Sequence, residues 1–249
     1  VLINGRAELL TFGGQVMKNV AGYDVSRLMA GAWGTLGLLT EVSLKVLPVA
    51  PAEATLRFEC NQADALRKLH AWGGQPLPLN ASCWVEDAGV GQLYVRLRGA
   101  VAAVDAACKS MGGTRLDNAT AAPDWQACRE QTLPWFAARL ARPGQALWRL
   151  SLPATAPVLA LPGGVSPLVE WHGALRWVQA PLAHGDVLRE AARAVGGSAS
   201  LFIADGAGGE RAGGQFDLKS AALEQIHARL KHSFDPAGIF NPGRMAPQW

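Results

Sequence analysis

No apolar run in this 249-residue sequence approaches the ~20 residues that a membrane-spanning helix needs, and no charged start leads into a hydrophobic signal segment. The expectation is a cytoplasmic protein, at most peripherally attached to a membrane. Close cysteine pairs are missing too. Cys60, Cys83, Cys108 and Cys128 lie far apart, without the spacings of zinc sites or redox dithiols, and read as reduced core thiols. Runs of Lys or Arg interleaved with aromatics are absent and the net charge is only +3, so no nucleic-acid partner is expected. There is no Gly-x-Ser-x-Gly elbow and no His-Glu-x-x-His helix, which leaves hydrolase and metalloprotease readings without support. The five histidines, His70, His172, His184, His227 and His232, are scattered and form no constellation, so no catalytic residue is assigned.

What is present is an ordinary globular composition, 49% hydrophobic and 17% charged, enough for one large or two small domains. The chain is organised around residues 18–48. Asp24 can accept hydrogen bonds from the free N–H groups that begin a helix, and Val25, Leu28, Met29 and Ala32 recur at helical spacing. Gly31, Gly34 and Gly37 then bracket Trp33, Thr35 and Leu36 in a turn where the backbone can take positive φ. Beyond it Leu38, Thr40, Val42, Leu44 and Val46 alternate with Leu39, Glu41, Ser43, Lys45 and Leu47, which predicts a strand stopped by Pro48. A Rossmann fingerprint is excluded, because there glycines follow a strand and open a helix. On the residues alone these glycines are a turn.

The chain opens in a strand, with Asn4-Gly5 turning toward Leu9–Phe12. Pro48 and Pro51 predict a linker. After it strands over 54–60, 83–86, 92–98 and near Arg115, with helices over 63–72 and 101–111, follow the order β-α-β-β-α-β; the middle strands join across Gly89-Val90-Gly91. The order is expected to recur after a helical stretch at 125–140 interrupted by Pro134. Its strands fall at 147–152, 168–171, 175–178 and 200–203, with helices near 156–161 and over 187–195. The glycine-rich run from Asp205 to Gly214 lacks a P-loop ending and reads as a surface connection. A final helix is expected over 221–232, with Leu223, Ile226 and Leu230 on one face, before turns at Asp235-Pro236 and Asn241-Pro242-Gly243. The nine tryptophans read as core and interface packing.

The string FGGQVMKNVAGYDVSRLMAGAWGTLGLLTEVSLKVLP and the closing PAGIFNPGRM, Pro236 to Met245, resemble the vanillyl-alcohol oxidase and p-cresol methylhydroxylase superfamily of FAD-linked oxidoreductases. Within it the chain is similar to the FAD-binding subunits of bacterial glycolate oxidases. The resemblance implies an α+β fold: residues 1–50 as the last part of a PCMH-type FAD-binding domain, 51–232 as a ferredoxin-like cap built from duplicated split β-α-β units, and 233–249 returning to the FAD domain. It implies FAD as cofactor, with Gly34, Thr35, Gly37 and the backbone of Leu38 and Leu39 beside it. Asn241 would lie near the flavin ring, or serve only as a turn former; Arg244 would meet a carboxylate or phosphate, or form a surface ion pair. Most of the FAD domain, including its pyrophosphate grip, is expected to precede Val1. No metal site is carried over, since Ala207 and Gly208 follow Asp205-Gly206 and no histidine lies nearby. The implied activity is oxidation of glycolate or a similar small hydroxy acid. The implied partners are a second flavin subunit and an iron-sulfur subunit, in a complex peripheral to the inner membrane. The competing readings are a non-catalytic assembly subunit with a vestigial flavin pocket and an independent flavin oxidase.

Overall fold

The computed structural model describes residues 1–13, 24–204, 216–217 and 220–246; the run from Asp205 to Gly214 lies outside the described residues. The chain divides into two units, one of residues 1–47 and 211–249, the other of residues 48–210. The first unit begins with β1 (Leu2–Ile3) and β2 (Leu9–Leu10), an antiparallel pair. Its connecting loop is closed by Asn4, whose Oδ1 accepts from the N–H groups of Arg6 and Glu8 at 2.9 and 3.0 Å. Helix α1 (Val25–Met29) starts where predicted, with Asp24 accepting from the Arg27 N–H. It is shorter than its pattern, because Ala30 turns extended and Gly31 takes φ +84°.

The predicted ten-residue strand is reduced to β3 (Leu38–Leu39), paired with β1. Residues 40–50 carry no strand assignment, and Leu44 and Leu47 are 80% and 85% exposed. Alternation marks a strand that has a face to bury, but a ladder also needs a neighbour, and among the described residues only Val1, bonded to Thr40 and Glu41, lies alongside.

The second unit holds β4 (Ala52–Glu59), α2 (Gln62–Gly73), β5 (Leu79–Asp87), β6 (Val90–Gly99), α3 (Val101–Met111) and β7 (Thr114–Leu116). Then come α4 (Asn118–Glu130), α5 (Pro134–Ala137), β8 (Ala146–Ser151), β9 (Leu168–Glu170), β10 (Leu175–Ala180), α6 (Gly185–Ala194) and β11 (Ser198–Ile203). The eight strands form one sheet in the order β11-β8-β10-β9-β5-β6-β4-β7, with every pairing antiparallel. Each half therefore runs fourth, first, third, second strand, and the halves meet where Cys83 faces Glu170 and Trp84 faces Val169.

Strand alternation puts two cores on opposite faces. One face carries Leu56, Leu93, Val95 and Leu97 beneath α2 and α3, and Trp148, Leu150 and Val178 beneath α6. The other carries Cys83, Leu147, Leu168 and Trp177 against Cys128 of α4 and Phe136 of α5. The buried or half-buried indoles find acceptors: Trp84 on the Cys60 carbonyl, Trp125 on Thr55, Trp148 on the Ala180 carbonyl and Trp177 on Glu170. All four cysteines are free.

Three local expectations are corrected. The β5–β6 turn centres on Ala88-Gly89 rather than Gly89–Gly91, since both residues take positive φ as a tight hairpin requires. The helical stretch begins earlier, at an Asp117 cap, and splits where Gln131 turns left-handed before Pro134. The helix expected near 156–161 does not form; Pro157 and Pro162 cannot donate, and only a short 3-10 turn at Pro162–Gly164 results. The carbonyls of Ala156 and Pro157 instead accept from the fully buried Arg176 guanidinium at 2.7 and 2.6 Å. Burial lowers the pKa of that guanidinium to about 10.

The last helix, α7 (Ala221–Phe234), groups with the first unit, whereas the resemblance implied a cap running to residue 232. The reason is the polar contact made near its C-terminus. No helix among the described residues is long and apolar enough to cross a membrane.

Candidate functional site

The glycine loop folds on itself through Thr35, which is buried. Its N–H and hydroxyl both donate to the Ala32 carbonyl, at 3.0 and 2.7 Å. Gly37 is required by close approach: a Cβ there would lie 2.6 Å from the Ile3 carbonyl oxygen, and the residue takes φ +155°. Gly34 has φ +68°, and its missing Cβ leaves room for the Asn241 amide, whose Nδ2 would otherwise stand 2.8 Å away. That amide donates to the Trp33 carbonyl at 2.9 Å, and Asn241 itself takes φ +43°, which asparagine tolerates better than most residues. The turn-forming role of Asn241 is thus present, with its side chain spent on the loop. Trp33 is 44% exposed; its ring meets Phe216 edge-on, and the Arg244 guanidinium lies 4.9 Å from its centroid.

Lys231, which brings these segments together, was not singled out from sequence, and Asp235 was read only as a turn residue. Lys231, on the last turn of α7, donates to the Thr35 carbonyl at 2.8 Å, to the Phe240 carbonyl at 2.7 Å and to the Asp235 carboxylate at 2.6 Å. Asp235 in turn accepts from the N–H groups of Ile239 and Phe240 at 3.1 and 2.8 Å. Gly5 packs on it, for a Cβ at Gly5 would stand 2.6 Å from the Asp235 Cα. The available signal was a Lys and an Asp at helical i, i+4 spacing just before Pro236.

Burial alone would raise the Asp235 carboxyl, but Lys231 and the two N–H donors outweigh it and hold the pKa below the ordinary 3.8. A depressed folded-state pKa adds stability that is complete above the unfolded value and is lost as pH falls through the folded one. The stability gap between the protein and an Asp235→Asn variant should therefore be widest near about pH 7 and narrow toward about pH 3, measured by urea unfolding. A gap independent of pH would contradict this assignment.

The described residues leave one backbone edge beside the loop open. β3 is the edge of its three-stranded sheet, so its outer backbone edge is free of strand pairing among the described residues, and Leu38 and Leu39 are half-exposed. Gly34 and Gly37, in contrast, spend their close approach on protein. Of the histidines, His227 lines a cavity of about 180 Å³ beneath the loop with Leu28, Thr35, Leu36 and Met245. His172 lies in the β9–β10 turn, where burial lowers its pKa. Among the described residues no group of three or more His, Cys, Asp or Glu is placed to hold a metal ion.

No family model matches the chain. Glycolate oxidase subunit GlcE of Escherichia coli (strain K12) is 44% identical over 244 residues, 98% of this chain and 63% of that relative. The chain thus spans somewhat less than two thirds of that protein's length. Glycolate oxidase subunit GlcD of Bacillus subtilis (strain 168) is 45% identical over 65 residues, 26% of this chain and 13% of the relative. D-2-hydroxyglutarate dehydrogenase of Xanthomonas citri pv. viticola is 31% identical over 70 residues, 28% and 15% of the two chains. With a GlcE-like sequence over nearly all of its length, and shorter stretches like GlcD and D-2-hydroxyglutarate dehydrogenase, the chain is similar to members of the FAD-linked oxidase superfamily.

Proposed function

We propose that this chain works within an FAD-binding subunit of a glycolate-oxidising complex. The observation that carries the reading is the loop of residues 33–37, fixed from behind by Lys231 and Asn241 so that the outer edge of β3 faces away from its own sheet. The identity to the GlcE subunit supports it. In this reading the first unit is part of a PCMH-type FAD-binding domain. The second is a ferredoxin-like cap, duplicated, for which the twice-repeated order of fourth, first, third and second strand argues.

Bound FAD would supply the two-electron acceptor for the hydride leaving the α-carbon of a 2-hydroxy acid. Of the chain's own residues, Gly34, Thr35, Gly37, Leu38 and Leu39 would form one wall, with the Asn241 amide bracing it. Arg244, over Trp33, would be a cation available to an anionic group there. A second flavin subunit, akin to the GlcD relative, and an iron-sulfur subunit are the proposed partners, with the complex peripheral to the inner membrane.

Titration of FAD into the full-length protein, followed by quenching of flavin fluorescence, tests the reading. Saturable binding near one flavin per chain is expected. Absence of binding by a folded protein would favour the assembly subunit with a vestigial pocket, a reading that the Trp33 ring at the loop tip supports.

A further inference from the structure

Lys231 is 6% exposed and sits on a helix far in sequence from the loop it touches. An ammonium group has three N–H donors, and here each meets a different stretch of chain: the glycine loop at Thr35, the closing segment at Phe240, and the end of α7 at Asp235. The neighbouring core is apolar, made of Leu2, Met29, Ala32 and Leu36 with Val25, Leu28 and Phe234. A buried charge pair in such surroundings is seldom better for stability than apolar side chains of equal volume. What the pair supplies is direction. Thr35 lies three residues before β3, and Phe240 immediately precedes Asn241, whose amide holds the Trp33 carbonyl. Both arms of the loop are therefore referred to one ammonium group.

We infer that Lys231 and Asp235 are positioning residues for the flavin wall, an inference that rests on the FAD-binding reading above. Neither reaches the outer edge of β3. They act by fixing the carbonyls of Thr35 and Phe240, so that the backbone at Leu38–Leu39 and the Asn241 turn hold one relative geometry. Their loss changes the cofactor's surroundings while leaving every proposed contact residue in the sequence.

The test uses the full-length protein and the paired substitution Lys231→Met with Asp235→Asn, which removes both charges at nearly constant volume. Three quantities are measured: cooperative thermal unfolding without cofactor, FAD affinity by fluorescence quenching, and the midpoint potential of bound flavin. The expected result is a cooperative melt, FAD binding weakened by about tenfold or more, and a shifted potential. A merely structural role would move the melt and leave the potential of the bound flavin where it was. Should the paired variant not fold, Lys231→Gln, with two N–H donors in place of three, is measured in the same way. Affinity and potential equal to those of the unsubstituted protein, in either folded variant, overturn the inference and leave the FAD reading standing. Failure of the unsubstituted protein to bind FAD overturns the reading, and the inference with it.

Discussion

Replacing Lys231 alone by methionine should lower stability by about 3–5 kcal/mol, because it leaves the Asp235 carboxylate buried without its counter-ion. The carbonyls of Thr35 and Phe240 lose their donor in the same step. Each orphaned acceptor adds to the cost, since a buried carbonyl without a partner forfeits the hydrogen bond that water would have given it. Part of the penalty is avoidable: protonation of Asp235 removes the uncompensated charge, so the deficit should shrink on acidification. Urea unfolding of the single and paired variants separates the contributions. The paired variant should recover about half of the loss or more, because no charge is left unpaired. A single variant within about 0.5 kcal/mol of the unsubstituted protein would mean that water or a rearranged chain replaces Lys231.

A loss of similar size is expected in the second unit from Trp148→Ala. Trp148 is 2% exposed, its indole N–H donates to the Ala180 carbonyl at 3.2 Å, and the Arg189 guanidinium lies 5.4 Å from its ring. The ring also determines how close α6 can come. A Cβ at Gly185 would lie 2.6 Å from the Trp148 ring edge, so the helix starts on the only residue type that fits there. Truncation removes a large apolar area and leaves a cavity between the sheet and α6, for which buried aromatic-to-alanine changes cost about 3–5 kcal/mol. Gly185→Ala tests the same contact from the other side, and overpacking there should cost about 1–3 kcal/mol. Chemical denaturation measures both. A Trp148→Ala loss under about 1 kcal/mol would mean that α6 settles onto the sheet and closes the cavity.

Local signals read well where a feature is fixed by the residue that shows it. Helix α3 runs over the predicted 101–111 because its apolar spacing ends at the glycine pair, and Gly112 takes the left-handed φ of +69° that such an ending needs. The caps at Asp24 and the hairpin at Asn4-Gly5 are likewise local. Which strands join the two duplicated units, β5 and β9, was not legible, because antiparallel pairing depends on which edges meet. The strand predicted over 38–47 formed only at 38–39 for the same reason: its alternation was that of a strand, but beyond Glu41 no described residue pairs with it.

The sequence by itself determined the α+β alternation, the glycine-bearing turn at 31–37 and the likeness to FAD-linked oxidases, since these reside in short-range spacing and in contiguous strings of residues. Only the tertiary structure decided what the glycines are for. Gly37 makes room for the Ile3 carbonyl and Gly34 for the Asn241 amide, and Lys231 gathers carbonyls 196 and 9 residues away in the chain. A hydrogen bond is set by distance in space, and its partners' separation along the chain leaves no local pattern from which it can be read.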